Sequence, residues 1–178
     1  MLLERLRIPF ETICPEIDET PLPNEAPYEM SVRLAQHKAL AVAAHFPEAL
    51  IIGSDQVAHL NGKIFGKPGT PENAVRQLSQ MSGQTVIFNT ALALLNTKTR
   101  QLRHESVPTQ VRFRTLSDTE IQRYVEKERP LDCAGSAKSE GLGISLLEAI
   151  TCDDPTALIG LPLIALSKLL REEGIELP

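Results

Sequence analysis

The sequence predicts a mixed α/β domain, a twisted sheet flanked by helices. Three observations carry that expectation. Apolar runs of strand length, "ALIIGSDQVAHL" (49–60) and "QTVIFNTALALLN" (84–96), alternate with capped amphipathic stretches of helical period. Two strand-like segments, 84–96 and 102–116, are separated only by "TKTRQ", the spacing of an antiparallel hairpin. Finally, 178 residues with 42% hydrophobic content are enough for one core that buries about 70% of the unfolded surface, so residues 1–178 read as a single domain.

The elements follow in order. "MLLERLRI" has leucines at 2, 3 and 6 with charges between them, the pattern of an uncapped amphipathic helix. "FETIC" (10–14) is expected to be a short strand, and "PEIDETPLPNEAP" an acidic loop punctuated by proline. Helical spacing and alanine content predict a helix over 28–45. The run from Ala49 is expected to form a buried strand that breaks at Gly53 and ends in an exposed turn bearing Ser54, Asp55 and Gln56. "TPENAVRQLSQMSG" supplies Thr70 as cap, Pro71 at the first helical position and Gly83 as terminator. Ser117 and Glu120 form a capping box for a helix stopped by Pro130. "CAGSAKSEGLGISLLEAI" reads as a glycine-punctuated loop entering a strand, and "LPLIALSKLLREEG" as a closing amphipathic helix.

Composition excludes several functions. Eighteen basic and 23 acidic residues give a net charge of -5, and the dispersed cations do not form a groove for polymeric nucleic acid. Aromatic residues make up 4% of the chain and tryptophan is absent, which leaves little material for stacking single strands. Any nucleotide bound is expected to be small. No apolar run approaches the roughly 20 residues of a membrane span, and the charged amino terminus does not read as a signal peptide, so a cytoplasmic protein is expected. Cys14, Cys133 and Cys152 are far apart and odd in number, which supports neither a disulfide framework nor a zinc site.

The candidate chemistry lies in the glycine-rich stretches. An aspartate closing a central strand stands where open α/β sheets place ligands, although such residues also cap turns, and Asp55 alone leaves both roles open. In "GKIFGKP", Lys67 is held between Gly66 and Pro68, a flexible cation on backbone that can approach a ligand closely. A carboxylate near such a lysine suits a phosphate ester, whereas a bare Gly-Lys-Pro also suits a solvated turn. The Walker order is absent. "EIDET" offers Glu16, Asp18 and Glu19 as hard oxygen donors. Arg33, His37 and Lys38 share one helix at spacings that cannot all face solvent in the same direction.

Taken in order, "EIDET", "RLAQHKA", "IIGSDQV", "GKP", "CAGSAKSEGLG" and "LIGLPL" resemble the Maf family of nucleoside triphosphate pyrophosphatases over nearly the whole chain. The resemblance implies a fold related to the inosine triphosphate pyrophosphatases and metal-dependent hydrolysis of a nucleoside triphosphate to monophosphate and pyrophosphate, with Mg2+ or Mn2+ as cofactor. It assigns Asp55 as the catalytic carboxylate, acting as base toward the attacking water or holding the metal that activates it, Glu19 as a second carboxylate near the metal, and Lys38 and Lys67 as phosphate-binding cations. The similarity is greatest to the subgroup acting on 7-methyl-GTP. Members acting on dTTP and UTP read Asp-Thr where this chain has Asp55-Gln56, and Gln where it has Glu140. A glutamate there is chemically apt for guanine, because one carboxylate accepts from both the N1 and N2 donors and its charge favours a cationic 7-methylated ring. The family's opening strand and Ser-x-Ser-x-x-Arg-Arg phosphate loop have no counterpart here. An in-frame segment of that form upstream of Met1 is the expectation if the start is internal, and a shortened chain is the other outcome. The expected partner is a small nucleoside triphosphate, with a homodimer compatible. The competing readings are a non-catalytic nucleotide-binding or septum-related regulatory protein, separated from the enzyme by turnover, and a pyrophosphatase for another nucleoside triphosphate.

Overall fold

A computed structural model describes residues 2–178. The elements are α1 (Pro27–Val42), β1 (Leu50–Leu60), β2 (Lys63–Phe65), α2 (Pro71–Met81), β3 (Thr85–Asn96), β4 (Gln101–Phe113), α3 (Asp118–Glu128), β5 (Leu147–Thr151) and α4 (Leu163–Glu172). The strands form one sheet in the order β2-β1-β3-β4-β5, and the pairings of β1 with β2 and of β4 with β5 are antiparallel. The expected α/β class, the two long strands and the four main helices are all present.

Packing divides the chain into two compact units. The first comprises 1–55, 90–107 and 154–178, the second 56–89 and 108–153.

In the first unit the second half of β3 is apolar without interruption because helices cover both of its faces. Ala91, Ala93 and Leu95 pack with Ala35 and Ala39 of α1, while Leu92 and Leu94 pack with Leu163, Leu166, Leu169 and Leu170 of α4. Helix α4 has no side-chain cap of its own, and Asp154 supplies one from a distance. Its buried carboxylate accepts from the Ile164 amide at 2.7 Å and the Ala165 amide at 3.2 Å, placing an anion at the positive end of the helix.

In the second unit α2 packs on α3, and the caps behave as expected. Thr70 Oγ1 accepts from the Asn73 amide at 3.2 Å. The Ser117 hydroxyl accepts from the Glu120 amide at 3.3 Å, and the Glu120 carboxylate accepts from the Ser117 amide at 2.8 Å.

Three expectations are corrected. The strand does not break at Gly53. It runs on to Leu60, so Asp55 and Gln56 lie within β1 and not in a turn at its end. Gly53 is present because α1 crosses there: a Cβ would come within 2.2 Å of the Ala35 carbonyl and 2.8 Å of the Ala39 amide. Glycine here permits close approach of helix to strand. Second, "FETIC" forms no strand and joins no ladder of the sheet. Phe10 and Ile13 of this segment instead line a cavity of about 1010 Å³ in the first unit, together with Leu50 and Ile52 of β1. Third, the leucines near the amino terminus form a single 3-10 turn, Leu3–Leu6, ended by Arg7 in the left-handed region.

Candidate functional site

Helix α1 and strand β1 bring three of the candidate residues together in the first unit. Lys38 Nζ donates to Asp55 Oδ1 at 2.6 Å and lies 2.9 Å from Glu19 Oε1. The aspartate side chain is only 9% exposed, so its charge is largely withdrawn from water and depends on this cation. Burial by itself would lower the Lys38 pKa. The hydrogen bond and charge of Asp55, then those of Glu19, outweigh burial and raise it. Ser54 Oγ lies 2.8 Å from both the Ala91 and the Gly160 carbonyl oxygens, between which its single proton is shared, and so fixes the strand beside Asp55.

The acidic loop carrying Glu19 is strapped to α1. Arg33 donates through Nε to Glu25 Oε1 at 2.5 Å, through Nη2 to Glu25 Oε2 at 2.7 Å, and to the Thr20 carbonyl at 3.2 Å. A two-pronged contact of this kind fixes orientation as well as charge. Of the three helix residues flagged by spacing, Lys38 faces the carboxylates, Arg33 holds the loop, and His37 is exposed.

The Arg33 contact holds the Glu25 carboxyl down to about 2, from an ordinary 4.5. A depressed acid adds stability that is complete above the unfolded pKa and is lost as pH falls through the folded one. The strap is therefore expected to weaken between about pH 4.5 and pH 2. Carboxyl NMR should show Glu25 titrating near the lower value, moving up in Arg33→Met. A wild-type midpoint near 4.5 would mean that the strap does not form in solution.

The second unit holds Gln56, Lys67 and Glu140. Gln56 is half-buried in β1, while Lys67 and Glu140 are exposed. The backbone around Lys67 is braced by α2: Asn73 Nδ2 donates to the Pro68 carbonyl at 2.8 Å and Gln77 Nε2 to the Gly66 carbonyl at 3.1 Å. The same Gln77 accepts from the buried Ser136 hydroxyl at 2.6 Å, tying the "GKP" turn to the "CAGSAKSEGLG" loop. Gly135 adopts φ +68° there and lies against Phe88 and Ala58, where a Cβ would be crowded.

The chain matches the Maf-like protein family over residues 1–173. The chain belongs to the Maf family.

Among its relatives, a protein of Aromatoleum aromaticum is 65% identical over all of this chain and 92% of its own length. One from Pseudomonas aeruginosa is 53% identical over 99% of this chain and 92% of its own, and one from a Polaromonas species is 56% identical over 99% and 80%. Each of the three bears the name 7-methyl-GTP pyrophosphatase.

A divalent cation would have to be held by the carboxylates of this Maf chain. Glu19 and Asp55 both lie within reach of one nitrogen, so a single cation could take the place of the Lys38 ammonium between them. Among the described residues there is no group of three His, Cys, Asp or Glu side chains placed to hold a metal. Two carboxylates completed by water and phosphate oxygens is the donor set that Mg2+ uses in phosphoryl chemistry, so the residues fit. No helix among the described residues is long and apolar enough to cross a membrane.

Reasoning from the sequence alone missed Arg33 as the loop strap, and also Gln77, Tyr124 and Glu128, whose side chains bond the backbone at Gly66, Lys138 and Leu142 in the motif loops. Their only signal was a polar side chain on a helix beside a motif, and surface positions share it.

Proposed function

We propose that the chain hydrolyses 7-methyl-GTP to 7-methyl-GMP and pyrophosphate. The observation that carries this reading is the pairing of Asp55 with Lys38 and Glu19 inside a chain whose relatives share that activity in their names. In the proposed reaction a water oxygen attacks the α-phosphorus, the bond to the α–β bridging oxygen breaks, and pyrophosphate leaves with the bonding electrons. Asp55 takes the proton from the attacking water, and a low-exposure carboxylate is poised for that task once Lys38 turns to phosphate. Lys38 and Lys67 neutralise charge on the phosphate oxygens, which is worth most where charge accumulates on the leaving group. Mg2+ or Mn2+, held by Asp55 and Glu19, supplies further charge neutralisation at the triphosphate when bound. Gln56 and Glu140 select the base, with Glu140 accepting from the guanine N1 and N2 donors.

Lys67 is a phosphate contact in this reading, and Lys67→Ala is expected to lower kcat/KM about tenfold for every nucleotide tested. Unchanged kinetics would return "GKP" to a structural turn. The reading as a whole is tested by the products of 7-methyl-GTP incubated with the protein and Mg2+ or Mn2+. One pyrophosphate per 7-methyl-GMP is expected. Release of orthophosphate, or binding without turnover, would overturn it.

A further inference from the structure

We propose that Glu128, the last residue of α3, is a positioning residue for base selection that holds the loop carrying Glu140. Its carboxylate Oε2 accepts from the Leu142 amide at 2.8 Å. Gly141 lies directly against the same group: a Cβ there would come within 2.8 and 2.9 Å of its two oxygens. One turn earlier on the same helix face, the Tyr124 hydroxyl accepts from the Lys138 amide at 3.0 Å. Glu140 thus lies between two backbone amides anchored to one helix.

The loop is also closed on itself. The Gly141 amide donates to the Lys138 carbonyl at 3.1 Å, and a Cβ on Gly143 would fall 2.4 Å from that carbonyl oxygen. The Glu140 side chain, by contrast, is exposed and makes no hydrogen bond or ion pair among the described residues. Its backbone is fixed while its carboxylate is left to a ligand.

Helix α3 gives no reason of its own for a glutamate at this position. The carboxyl end of a helix disfavours an anion, and a lysine or arginine would suit it better. The captured Leu142 amide supplies the reason. A loop amide held by a charged acceptor is also harder to displace than one held by a neutral group. Preorganisation of this kind improves affinity by reducing what binding must order, without adding a contact to the ligand.

The inference rests on Glu140 reading the base, and the experiment separates the two. Steady-state kinetics for 7-methyl-GTP and UTP are measured for the wild type, Glu128→Ala, Glu128→Gln, Tyr124→Phe and Glu140→Gln, with thermal melting of each. Glu128→Ala is expected to raise KM for 7-methyl-GTP by about tenfold with little change in kcat, and to leave UTP within about twofold. Glu128→Gln keeps an oxygen acceptor and should restore most of the loss. Should Glu128→Ala not fold, Tyr124→Phe carries the test with the same selective loss expected. Equal losses on both nucleotides, or no loss, while Glu140→Gln remains selective would overturn the role of Glu128 and leave the base-reading role intact. Equal losses in Glu140→Gln as well would overturn both. A selective loss in Glu128→Ala beside an equal loss in Glu140→Gln would keep the loop as the base-reading element and take that role from the Glu140 carboxylate.

Discussion

Asp55→Asn is expected to lower kcat for 7-methyl-GTP by about 10³-fold while the fold survives. The amide keeps the shape of the side chain and can still accept from Lys38, but it cannot take a proton from water and is a poor ligand for a divalent cation. The structure explains why the loss should fall on turnover. Asp55 lies within β1, where the Ser54 hydroxyl is held between two carbonyl oxygens and Gly53 is packed under α1, so strand geometry does not depend on the aspartate charge. Lys38 would keep Glu19 as its anion. Circular dichroism and melting of the variant should resemble the wild type. Pyrophosphate release within about tenfold of wild type would remove Asp55 from the reaction.

The second large effect is expected on selectivity. In the proposed reading, Glu140→Gln sets an amide donor against a guanine donor and removes a charge that would favour a cationic 7-methylated ring. Losing a charge-assisted contact of this type costs about 1.5–3 kcal/mol, or about ten- to a hundredfold in kcat/KM. The loss should fall on 7-methyl-GTP and GTP and spare pyrimidine triphosphates, which gain nothing from that carboxylate. Loss by one common factor across all substrates would show that Glu140 does not read the base.

The fold was legible where the signal is local. The caps at Thr70 and Ser117, the hairpin of β3 and β4 and the apolar face of α4 follow from residue type and period, and each is formed as expected. What was misread depends on distant partners. Gly53 looked like a strand breaker, but it is a glycine because the Ala35 carbonyl needs the space that a Cβ would take. "FETIC" has strand composition, yet a strand exists only where a neighbour lies in register, and this segment joins no ladder of the sheet.

The candidate site divides in the same way. Helical spacing alone showed that Arg33, His37 and Lys38 could not all face solvent together, and two of them do make inward contacts. Nothing in the spacing of Glu19, Lys38 and Asp55 revealed that they would meet, since α1 and the crossing over Gly53 bring them together. Only the resemblance to a family put them on one list. The braces from Gln77, Tyr124 and Glu128 were invisible for a related reason: their partners are backbone groups, which carry no residue identity.

The most direct test of the account is competition. 7-Methyl-GTP, GTP, dTTP and UTP are offered together at equal concentration with Mg2+ or Mn2+, and the ratio of their monophosphate products is followed, which reports relative kcat/KM without separate assays. The account predicts that 7-methyl-GMP forms first, with pyrophosphate equal to the sum of the monophosphates, and that Glu140→Gln narrows or reverses the ratio over UMP. Preferential formation of dTMP or UMP by the wild type would contradict it.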